Sequence, residues 1–128
     1  ASNNCLDMFR EMFLTTALAK VKEQDAACVP AEEVLYMATA VGAQCMGLAD
    51  CDSLSVGKKA DIIMIDLMQP NMQPENDIAK NIVYSGSKQN VIMTMVNGRI
   101  LYENGQFEIG FDPKEIYAKA NAVIGRMK

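Results

Sequence analysis

The 128-residue chain contains no histidine. The commonest neutral metal ligand and the usual general base are therefore missing, and any proton transfer or metal ligation by its own side chains falls to Asp, Glu, Lys, Tyr, Cys or Ser. None of these forms a recognisable constellation. Asp61 and Asp66 bracket one short apolar run. On a strand they point to opposite faces and cannot converge as an acid/base pair, so both read as strand-end solvation. Gly57-Lys58-Lys59 has the outline of a phosphate-loop tail. It lacks the earlier glycine and the Ser or Thr after lysine, and it stands ahead of a strand instead of opening a helix. Lys58 and Lys88 read as ordinary surface charges.

Soft ligands and thiols offer no better start. Cys5, Cys28, Cys45 and Cys51 lie at separations of 23, 17 and 6 with no C-x-x-C, which is neither zinc-knuckle nor thioredoxin-like spacing. Cys45 falls at a helical apolar position, where a thiol acts as a small hydrophobe. A thiol-dependent redox protein would need a low-pKa cysteine. The ten methionines are scattered, with only a Met93-x-Met95 alternation, and read as core filler.

The chain that must position any such groups is 50% hydrophobic and 22% charged, a globular balance for one domain. Twelve basic against sixteen acidic residues, net charge −4, give nucleic acid or an anionic membrane surface nothing to bind in bulk. Apolar runs such as Ile62–Ile65 are far short of the roughly 20 residues a membrane helix needs. The N-terminus carries no signal pattern, and a cytoplasmic protein is expected.

Asn3 or Asn4 can cap a first helix, with Asp7 in its first turn, a stripe of Leu6, Phe9, Phe13 and Ala17, and an end near Glu23. Pro30 suits the first turn of a second helix, followed by Glu32 and Glu33 and the stripe Val34, Ala38, Val41, Cys45 and Leu48. A break at Gly42 would split it, with Thr39 as the second cap. A turn over 50–59 leads to Ile62–Ile65, four apolar residues that suit a strand covered on both faces. Residues 67–90 read as a long connection with at most one short helix at 77–84. Val91–Val96 and Arg99–Glu103 form a hairpin about Asn97-Gly98, and Asn104-Gly105 returns Gln106 and Phe107. Asp112, Pro113 and Glu115 supply a cap, a first-turn proline and an N3 acid for a closing helix with Ile116, Ala120, Val123, Ile124 and Met127. The order predicts an α+β fold with a small antiparallel sheet.

These blocks together also point to a family. Met37-Ala38-Thr39, Gly42-Ala43, Gly47-Leu48, Ser53-Leu54, Val56-Gly57-Lys58-Lys59-Ala60-Asp61-Ile62-Ile63, Asp66, Val83-Tyr84-Ser85 and Val96-Asn97-Gly98-Arg99 resemble the C-terminal third of metal-dependent amidohydrolases. The likeness is to the cytosine deaminase, chlorohydrolase and methylthioadenosine/S-adenosylhomocysteine deaminase branch. The opening Ala1-Ser2-Asn3-Asn4-x-x-Asp7-Met8 resembles the segment just after the aspartate that ends the eighth barrel strand. Cys51-Asp52 stands where an Ile-Gly pair is usual, a turn that aspartate tolerates in left-handed geometry. The 71–81 stretch lacks the histidine common in that loop.

The resemblance implies a parent enzyme with a (β/α)8 barrel and a β-sandwich assembled from both chain ends. A barrel takes about 250 residues, more than this chain has. Residues 1–50 would then be the helical end of the barrel, 51–110 the sandwich portion and 111–128 a C-terminal helix. The start at Ala1, without lead-in or initiator methionine, is expected of a cut piece. In family members an H-x-H pair, further histidines and the strand-eight aspartate hold a divalent metal, zinc or iron. That metal lowers the pKa of a bound water, which attacks the carbon bearing the leaving nitrogen. All of those ligands would lie upstream, so no catalytic or metal residue is expected here. Only Ser2, Asn3 and Asn4 could lie near the substrate, with helix capping as the competing role for the asparagines. The expected partners are the missing barrel portion and further copies in a homo-oligomer, since faces severed from a barrel stay apolar and exposed. A self-standing, non-catalytic oligomerisation module is the alternative.

Overall fold

A computed structural model of the chain describes residues 4–127. Helix α1 spans Met8–Glu23, and its cap is Asp7, whose Oδ1 accepts from the amides of Phe9 at 3.1 Å and Arg10 at 3.4 Å. Neither asparagine holds that place: Asn3 lies outside the described residues, and Asn4 is three positions ahead of the cap, in a bend. Asp7 wins because it directly precedes the first helical residue in extended geometry, where its side chain reaches the free N–H groups.

The buried face of α1 is Phe9, Met12 and Thr16, which shares only Phe9 with the predicted stripe; Leu6 is 75% exposed and Phe13 44%. The helix has turned toward the segment before the next helix. There the Thr16 hydroxyl donates to the Val29 carbonyl at 2.7 Å, and Lys20 Nζ donates to the Cys28 carbonyl. Those two donors hold Val29 at φ 47°, a strained setting for a β-branched residue. Pro30 then caps from the extended region, and α2 runs Ala31–Tyr36.

No break occurs at Gly42. A π-helical turn, Met37–Val41, joins α2 to α3, Gly42–Cys45. Thr39 does not cap; its hydroxyl donates back to the Leu35 carbonyl at 2.7 Å. A π turn adds a residue to the helix and rotates the turns beyond it. Ala43 therefore faces inward, while Cys45 and Leu48, expected on the buried stripe, are exposed.

The sheet has order β1-β2-β3-β4: β1 Ile62–Ile65, β2 Val91–Val96, β3 Arg99–Glu103 and β4 Gln106–Phe107, all antiparallel. Asn97 and Gly98 at φ 50° and 78°, and Asn104 and Gly105 at 48° and 87°, make the predicted two-residue turns. Strand β1 is an edge, and nothing among the described residues covers both of its faces: Ile63 is 51% and Met64 50% exposed. The connection 66–90 holds the short helix α4, Ile78–Lys80, continued by a π turn at Asn81–Ser85, where a short helix is expected, and also two 3-10 turns, Pro70–Met72 and Lys88–Asn90, which exceed the single helix expected. Phe9, Met12, Ala31, Val34 and Val83 form the core, with Ile65 and Val91 tying the sheet to it. Each large apolar side chain so buried contributes about 1.5–3 kcal/mol. Helix α5, Pro113–Arg126, is capped by Asp112 and has no buried residue.

Candidate functional site

Two regions bring chemistry-bearing side chains together. The first is the approach to α1. Ser2 and Asn3 fall outside the described residues; Asn4 is exposed and leads toward the first turn of α1. Beside that turn lies an open recess of about 350 Å³ lined by Asp7, Phe9, Arg10, Phe13, Tyr84 and Gly86. Arg10 Nη1 donates to Cys5 Sγ at 3.3 Å. The Tyr84 hydroxyl lies 3.4 Å from that of Thr16, which fastens the π turn to α1. Asp7 is occupied as the cap.

The second region is the loop between α3 and β1, around a recess of about 400 Å³ whose lining includes Thr39, Cys51, Asp52 and Asp61. Lys58 is not a free surface charge. Its Nζ lies 2.6 Å from Asp52 Oδ1 and donates to the Ala49 carbonyl at 2.5 Å, and Gln44 Nε2 donates to Asp52 Oδ2 at 3.1 Å. Asp52 needs no left-handed backbone, since the positive φ values of this loop fall on Gly47 and Gly57. Lys58 first, then Gln44, hold its carboxyl down to about 2. Burial, followed by Asp61 and Asp50, pushes the Cys51 thiol up, which suppresses the thiolate that redox chemistry needs. The four cysteines are free thiols.

A carboxyl held down in the folded state stabilises above its unfolded value near 3.9 and loses that contribution as pH falls toward 2. Asp52→Asn is therefore expected to flatten the acid side of the stability profile between about pH 4 and pH 2. Urea midpoints measured across that interval check it, and an unchanged slope would show that the pair does not form in solution.

The remaining acids are engaged separately. Asp61 Oδ1 accepts from the Asn97 amide at 2.6 Å and clamps the hairpin turn, while Asp66 Oδ1 accepts from the Met68 amide at 2.9 Å. Among the described residues, no three His, Cys, Asp or Glu side chains are grouped to hold a metal ion. The described residues thus do not fit a metal centre. No helix among them is long and apolar enough to cross a membrane. The Asp52–Lys58 clamp escaped the sequence reading, although an acid facing a lysine across a Ser- and Gly-containing turn is a usable signal.

Residues 1–101 match the amidohydrolase family. The chain is 42% identical, over 93% of its length, to a 5-methylthioadenosine/S-adenosylhomocysteine deaminase of Moorella thermoacetica, and 38% identical, over 100%, to a 5'-deoxyadenosine deaminase of Methanobrevibacter smithii. It spans only 28% and 30% of those proteins. Among solved structures it resembles a zinc-bound adenosine deaminase from Xanthomonas campestris. The TM-score is 0.92 at 31% identity, covering 98% of this chain and 29% of that one. It also resembles a zinc-complexed atrazine chlorohydrolase from Arthrobacter aurescens, with TM-score 0.74 at 29% identity, covering 91% and 25%. The histidine missing from 71–81 does not remove the likeness to the methylthioadenosine branch.

Proposed function

The chain belongs to the amidohydrolase family, and on that footing we propose that it is the C-terminal part of a cytoplasmic, metal-dependent hydrolase of non-peptide C–N bonds, a deaminase of adenosine derivatives. Residues 1–50 close the barrel, 51–110 form the C-terminal share of the composite sandwich and 111–128 add the final helix. Ser2, Asn3 and Asn4 are this chain's candidates for contact with the substrate. The divalent metal, zinc or iron, belongs to the barrel portion, which is this chain's principal partner.

The observation that carries this reading is the pairing of near-complete coverage of this chain with 28% coverage of the relative. Surface area supports it. The chain exposes 9456 Å², whereas a compact monomer of its 14.0 kDa exposes about 6,700 Å². The uncovered edge of β1 and the exposed Ile63 and Met64 are where further strands would add.

The isolated polypeptide is expected to hold no stoichiometric zinc or iron and to release no ammonia from 5'-deoxyadenosine or 5'-methylthioadenosine. Joined to an upstream portion of about 250 residues, the size of a barrel, it is expected to do both. Elemental analysis and an ammonia assay on the two preparations read the outcome. Turnover by the isolated chain, or none from the joined one, would overturn the assignment.

A further inference from the structure

We draw no further inference here: the strongest candidate, the exposed apolar stripe that Ile116, Val123 and Ile124 form along α5, carries none, because nothing in the structure shows what covers it.

Discussion

Gly86→Ala is expected to lower stability by about 2–4 kcal/mol, at the upper end of what overpacking a close-packed site costs. Gly86 has φ −65° and ψ 153°, ordinary extended backbone, so the penalty does not come from conformational freedom. It comes from space. A Cβ there would sit 2.4 Å from the Ile82 carbonyl oxygen and 2.9 Å from Phe9 Cδ1. The first of these is backbone, held in the π turn by the Gly86 amide at 3.2 Å, and cannot swing aside as a side chain would. The second is a buried ring of the core. Relief requires the 85–87 backbone to move off α1, loosening the contact that joins the connection to the helical core. Urea unfolding of the variant reads the loss as a lower midpoint at unchanged slope. Adding Phe9→Leu should recover only part of it, because the carbonyl clash remains; full recovery would show that the ring alone sets the limit.

That site marks where sequence reasoning stops. Elements whose geometry is set by adjacent residues were legible: both Asn-Gly turns, and the Asp112-Pro113 start of α5, depend on local φ preferences and capping alone. The family blocks were legible for a related reason, since they record many positions at once. The face of α1 was not, because Phe13 and Met12 satisfy the helical period equally well. The choice fell to a tertiary bond, the Thr16 hydroxyl on the Val29 carbonyl. The π turn was not legible either, and it alone moved Cys45 outward. Of the residues singled out for a substrate, Ser2 and Asn3 lie outside the described ones. The Asp52–Lys58 clamp depends on a loop closing over six residues, which no periodicity reports. Asparagines in 67–90 read as loop composition, yet one of them is fully buried.

That residue, Asn90, is expected to be the costliest polar side chain to remove. It is 0% exposed, and its Oδ1 accepts from Asn71 Nδ2 at 2.8 Å, from the Ser87 amide at 2.9 Å and from the Ser87 hydroxyl at 3.1 Å. Its Nδ2 donates to Asn71 Oδ1 at 3.2 Å and to the Asp66 carbonyl at 3.4 Å. Asn90 therefore binds both ends of the 66–90 connection to each other. Asn90→Ala would leave the Ser87 amide without its acceptor in a place water does not reach, and an orphaned buried polar group costs about 1–3 kcal/mol before the lost volume is counted. A total of roughly 3 kcal/mol is expected, a large part of the 5–15 kcal/mol that holds a domain folded. Asn71→Ala should cost less, since Asn71 itself is exposed and water can replace it. The double variant should fall short of the sum by about 1 kcal/mol, the coupling of two residues in one network. Strict additivity in that cycle would mean that the two amides do not bond in solution, and that the connection is held by burial of Met72 and Val83 instead.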